Sequence, residues 1–76
     1  MDVVKLDLHG VRHEEARRRT IRFIEANWDN GNELEIITGH SPRMKGLVME
    51  VLQEYNLSYN IGYLYEVDAP RIITWT

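Results

Sequence analysis

The feature that most constrains this chain is a strand that stops on a glycine just before a helical repeat, and it occurs twice. Leu6-Asp7-Leu8-His9-Gly10 leads into a segment beginning at His13, and Ile36-Ile37-Thr38-Gly39 leads into one beginning at Pro42. Strand side chains alternate between faces, so Val4, Leu6 and Leu8 share one side while Lys5, Asp7 and His9 share the other. The first side needs a core. The second carries a carboxylate and an imidazole beside a turn, groups able to bind an anion or move a proton, although an ordinary polar face has the same composition.

The elements between these junctions follow from spacing. From His13 to Asp29, Ala16, Thr20, Phe23, Ile24 and Trp28 recur at steps of three and four, which predicts an amphipathic helix. Glu14 and Glu15 suit its positive dipole end, and Asn30-Gly31-Asn32 stops it, with Gly31 the expected left-handed cap. Glu33 to Thr38 reads as a second strand with Leu34 and Ile36 on one face. A strand, helix and strand at this spacing predict a right-handed crossover with parallel strands, the helix covering the Leu6 and Leu8 face.

Ser41 is a good N-cap, and Pro42 suits the first helical position. Met44, Leu47, Val48, Val51, Leu52 and Tyr55 then form a helical stripe running to about Asn56, leaving Lys45, Met49, Gln53 and Glu54 outward. Leu57, Tyr59 and Ile61 alternate as a third strand, Tyr63 to Pro70 reads as a hairpin-like excursion, and Arg71 to Thr76 as a final strand. The expected fold is α/β in the broad sense, an α+β two-layer sandwich in βαβαββ order. Its mixed four-stranded sheet carries both helices on one face.

Seventy-six residues make a single domain, 1–76, near the lower limit for a core without staples. The absence of cysteine excludes disulfides and thiolate metal sites and suits a reducing interior, so the cytoplasm is the expected location. No apolar run approaches the roughly 18 to 20 residues of a membrane span, so the chain reads as soluble and complete with no membrane partner. Nine basic residues against twelve acidic give a net charge of −3, the wrong sign for bulk attraction to nucleic acid. Yet Arg12, Arg17, Arg18, Arg19, Arg22, Arg43 and Lys45 crowd into two segments, which allows a local basic surface. Pairing of Glu14 and Glu15 with Arg18 and Arg19 at helical spacing would instead give a solvated face.

Ligands of open sheets bind beyond the carboxyl ends of parallel strands, where Asp7, His9, Thr38, His40 and Ser41 would gather. Gly39 admits close backbone approach, and the helix starting at Pro42 points its positive end there, as a phosphate seat requires. Arg43 and Lys45 could grip a second oxygen. Together with the Gly39-to-Ser41 amides these would hold a phosphate, and His9, oriented by Asp7, would stand beside it as a general acid or base. Plainer roles exist: Thr38-Gly39 as a tight turn, Ser41 as a cap, Asp7 as partner of a backbone N–H or an arginine. His9, His13 and His40 with Asp7 match no zinc spacing, so no zinc is expected. There is no P-loop, no G-x-S-x-G elbow and no aromatic ladder for stacking bases.

Leu6-Asp7-Leu8-His9-Gly10, followed by Glu14-Glu15-Ala16 and by Ile36-Ile37-Thr38-Gly39, resembles the Smr domain, the small module first known from MutS-related proteins. The likeness covers essentially the whole chain. It implies a nucleic-acid-binding domain, often a nicking endonuclease on DNA or RNA, with a fold similar to the C-terminal domain of bacterial translation initiation factor three. By that resemblance Asp7 and His9 match the catalytic acidic and histidine positions of the first motif, and Thr38 and Gly39 open the second. From their place at the two junctions, Gly10, Arg12, His40, Ser41, Arg43 and Lys45 are expected to join them as nucleic-acid contacts. The second motif usually reads T-G-x-G or H-G-x-G. Here Ser41 stands at the second glycine, or a shortened loop aligns His40-Ser41 with a later H-S pair, a departure that bears on cleavage more than on binding. Family members differ in whether a divalent metal such as Mg²⁺ or Mn²⁺ is used.

Two rival readings remain: a phosphate-binding module without cleavage, and a protein-interaction adaptor using exposed Tyr63, Tyr65 and Trp75. Self-association through the edge of the final strand belongs with the second.

Overall fold

In the computed structural model, which describes residues 2–63, 66 and 68–76, six elements follow the predicted order. They are β1 (Val3–Asp7), α1 (His13–Ala26), β2 (Glu33–Ile37), α2 (Pro42–Glu54), β3 (Tyr59–Ile61) and β4 (Arg71–Trp75). One sheet runs β1-β2-β4-β3, with β1 and β2 parallel and β4 antiparallel to both neighbours.

The parallel register sets Val4 beside Leu34 and Leu6 beside Ile36, so these side chains project from the same side of the sheet. Across β2, Leu34 faces Thr74 and Ile36 faces Ile72. Both helices close on this side. Leu8, Ile36 and Ile72 share one buried cluster with Ala16 and Ile24 of α1 and with Met44, Val48, Val51 and Leu52 of α2. Each fully buried aliphatic side chain contributes about 1.5–3 kcal/mol of transfer energy, so this layer is where stability resides.

The two helices are closed differently. At α2, Ser41 Oγ accepts the Met44 N–H at 3.1 Å and Pro42 opens the helix. Its far end is a Schellman motif, with Asn56 left-handed (φ 57°), Leu57 N–H bonded to the Leu52 carbonyl and Asn56 N–H to that of Gln53. At α1, Arg12 occupies the N-cap without a side-chain cap bond.

Five expectations are corrected. Helix α1 ends at Ala26 rather than Asp29, because the Asn27 side chain bonds back to the Phe23 carbonyl and the Asp29 N–H turns to Thr76 Oγ1. Trp28 is therefore outside the helix, 51% exposed and tilted against Tyr55 at 5.9 Å between ring centres, and Gly31 (φ 78°) serves the turn before β2 rather than the helix cap. β3 starts at Tyr59 because the Leu57 N–H is consumed by the α2 cap. Lys45 points inward, only 9% exposed. Finally, β4 is an interior strand: β2 and β3 take both its sides, so the sheet edges are β1 and β3, and the final strand offers no edge for self-association.

Leu64 and Val67 of the hairpin-like excursion, and the expected exposure of Tyr65, lie outside the described residues. The described residues of that excursion contain no strand; the Glu66 N–H bonds to the Tyr63 carbonyl. Among the described residues no helix is long and apolar enough to cross a membrane.

Candidate functional site

The first junction is built by a carboxylate. Asp7, at the end of β1, accepts the His9 backbone N–H on Oδ1 at 2.9 Å, Gly10 turns with φ 78°, and the Val11 N–H bonds back to the Leu8 carbonyl. Asp7 thereby fixes the turn that carries the imidazole. At the second junction, the Pro70 carbonyl accepts the N–H of both Thr38 and Gly39, at 2.9 and 3.0 Å, and Gly39 turns with φ 69°. A Cβ on Gly39 would stand 3.2 Å from His9 Cδ2, so the two loop tips are in contact.

Around this contact lies an open groove of about 650 Å³. Its lining comes from both junctions: His9 to His13 from the first, and Thr38 to Ser41 with Met44 from the second. Residues at the starts of α1 and α2 border it, so the positive dipole ends of two helices flank one concavity. The lining holds three imidazoles and one guanidinium, and no carboxylate. On a chain of net charge −3 this is a local stretch of surface free of lining carboxylates.

Of the residues singled out from sequence, His9, Gly10, Arg12, Thr38, Gly39, His40 and Ser41 border the groove. Three lie elsewhere. Asp7 is committed to the turn. Arg43 borders an adjoining hollow with His13, Arg17 and Glu50. Lys45 is turned inward, its Nζ 3.3 Å from Asp68 Oδ1. The Gly39 amide is likewise taken by Pro70, which leaves His40 and Ser41 as the expected backbone donors without an acceptor among the described residues.

Sequence reasoning did not assign His13, Val11 or Met44 to the site, although His13 at the first position of α1 is adjacent to Arg12 and could have been found from helix geometry. Nor did it find Asp68, which faces His40 with Oδ2 3.5 Å from Nδ1.

The sheet's other side is covered from the excursion. Glu35, only 3% exposed, accepts the Tyr63 hydroxyl at 2.6 Å, and the Arg71 guanidinium lies 3.8 Å from Glu35 and 3.5 Å from Glu66. The Tyr63 hydroxyl is pushed up to about 12, first by this bond to Glu35 and next by desolvation. These contacts tie the chain on either side of Asp68 to β2 and β4.

A divalent metal of the Mg²⁺ or Mn²⁺ kind takes carboxylate oxygens. The groove's imidazoles and hydroxyls do not supply that donor set, and among the described residues no three His, Asp or Glu side chains gather as a metal site. No step is therefore routed through a metal.

The family model of the Smr domain matches residues 6–63, a span that contains both glycine junctions and both helices. The chain belongs to the Smr family. Nucleic-acid-binding or nuclease-like function goes with the Smr domain at the level of the family. No curated protein and no solved structure matches the chain. The Smr match ends before Asp68, Pro70 and β4, so the groove's bordering residues fall inside it while the carbonyl bracing Gly39 lies outside.

Proposed function

We propose that this Smr domain binds the phosphodiester backbone of DNA or RNA in the groove between its two glycine junctions. The observation that carries this reading is the contact of His9 with Gly39, which merges two loop tips and two helix starts into one concavity lined by Arg12 and three imidazoles. A phosphate oxygen there would meet Arg12, His9, His13 and His40 together with the open amides of His40 and Ser41. Direct titration tests it, using labelled single-stranded, duplex and branched DNA and RNA at several salt concentrations. Binding should weaken steeply with salt, and Arg12→Ala should lower the slope of log K against log salt by about 1. Absence of any shift at low salt, or an Arg12→Ala, His9→Ala double variant that binds as wild type, would overturn it.

A nicking activity is the second reading, favoured by the placement of two imidazoles, His9 and His40, on opposite tips of the same groove. One neutral ring takes a proton from an attacking water or ribose hydroxyl as its oxygen bonds to phosphorus, and one protonated ring delivers a proton to the departing oxygen. Asp7 contributes by holding the turn under His9. Cleavage undiminished in both Asp7→Asn and His9→Ala would remove this mechanism while leaving the binding role intact.

A further inference from the structure

Asp68 stands beyond the span matched to the family, between β3 and β4, and one carboxylate there meets two nitrogen groups. Its Oδ1 accepts a hydrogen bond from Lys45 Nζ at 3.3 Å, and its Oδ2 lies 3.5 Å from His40 Nδ1. Asp68 is 74% exposed, and an exposed ion pair alone scarcely holds a side chain in place. Lys45 alters that balance. Its side chain is only 11% exposed, and an ammonium so far removed from water is costly unless a carboxylate answers it.

The backbone reinforces the placement. Asp68 sits in the left-handed region (φ 52°), and two residues later the Pro70 carbonyl takes the amides of Thr38 and Gly39, the residues immediately before His40. On the other side, the Tyr63 hydroxyl is anchored on buried Glu35. The segment carrying Asp68 is thus bonded at both ends, once to the very loop that carries His40.

We propose that Asp68 is a positioning residue for His40, taking the Nδ1 side of the ring and leaving Nε2 for a phosphate in the groove. Lys45 anchors the carboxylate from within the fold. A neutral ring held this way carries its proton on Nδ1 and offers the Nε2 lone pair to a proton donor; a protonated ring donates Nε2–H to a phosphate oxygen. The groups facing His40 are Asp68 and, from α2, Lys45, with His9, Arg12 and His13 bordering the same groove from the β1–α1 junction. The role at the phosphate rests on the binding function proposed above, whereas the state of the ring does not.

The test uses the full chain. Nitrogen-15 NMR of the His40 ring, recorded above its titration, should show the Nδ1–H tautomer in wild type. Asp68→Ala should move it to the Nε2–H form that a free histidine ring prefers, and so should Asp68→Asn, whose one acceptor oxygen answers Lys45 and leaves its NH2 facing Nδ1. Lys45→Met, which keeps the packed stem but frees the carboxylate, should weaken the wild-type pattern.

Labelled single-stranded oligonucleotides give the second readout. A surface acid that merely repels phosphate would, when removed, tighten binding in Asp68→Ala and Asp68→Asn alike. A positioning acid instead gives binding about three- to tenfold weaker in both variants, the size of one ordinary net hydrogen bond. An Nε2–H ring in wild type, a tautomer unmoved by Asp68→Ala, or tighter binding by that variant overturns the proposal. If the ring behaves as stated but no oligonucleotide binds, the nucleic-acid reading fails and the positioning of His40 stands.

Discussion

Replacing Gly39 by alanine separates the two things this glycine does. Its left-handed backbone (φ 69°) costs any residue with a Cβ about 1–2 kcal/mol, and its new methyl would stand 3.2 Å from His9 Cδ2, so the ring must yield by a few tenths of an ångström. Gly31 is the control, with φ 78° and nothing within 4 Å of a built Cβ, in a turn that borders no part of the groove. Both variants should lose similar stability in thermal unfolding, about 4–8 °C of Tm per kcal/mol for a domain this small. Only Gly39→Ala should shift the His9 ring resonances and weaken oligonucleotide binding. If Gly31→Ala weakens binding as much, or if Gly39→Ala leaves the His9 resonances in place, the contact between the loop tips does not shape the groove and the reasoning fails.

Other outcomes follow from the same geometry. Tyr63→Phe strips a hydrogen bond from buried Glu35 and should cost about 1–3 kcal/mol by denaturant unfolding. With the Tyr63 hydroxyl held up at about 12, the folded chain favours its neutral form; that stability is fully present below the unfolded value near 10 and is lost as pH rises toward 12. Because Tyr63 is 41% exposed, solvent screening reduces the effect to about 1 kcal/mol, and this alkaline loss should be absent in Tyr63→Phe. Gly46→Ala, inside α2 with open space around the new methyl, should stabilise by about 0.5–1 kcal/mol in the same assay. Ser41→Ala removes the bond to the Met44 N–H and should cost about 1 kcal/mol in thermal unfolding.

The parts of this molecule that could be read directly are those governed by neighbours in the chain. Ser41-Pro42, the stripe from Met44 to Tyr55 and the alternation of Val4, Leu6 and Leu8 each report a local period or cap, and the two glycine junctions placed the groove because parallel strands must end at one rim. What could not be read depends on residues far apart in sequence. Glu35 alternates with Leu34 and Ile36 and so belongs on the outward side of its strand; it is buried because Tyr63, 28 residues later, folds over that side. Lys45 has the sequence position of a solvent-facing cation, and its inward turn is answered by Asp68, 23 residues away. Asp68 itself sits in a stretch without periodicity, where no pattern distinguishes one acid from another.

Strand β4 follows the other five elements in the chain, yet it lies inside the sheet, and the carbonyl that braces Gly39 immediately precedes it. Until Arg71–Trp75 exist, β2 and β3 each lack the strand that joins them, and the Pro70 carbonyl behind the second loop tip has no strand to hold it there. Closing the sheet then requires pairings between distant parts of the chain, the kind that form late and slowly. A nascent copy that has emerged only as far as β3 would therefore own every motif residue and still lack the strand that completes the sheet beneath them.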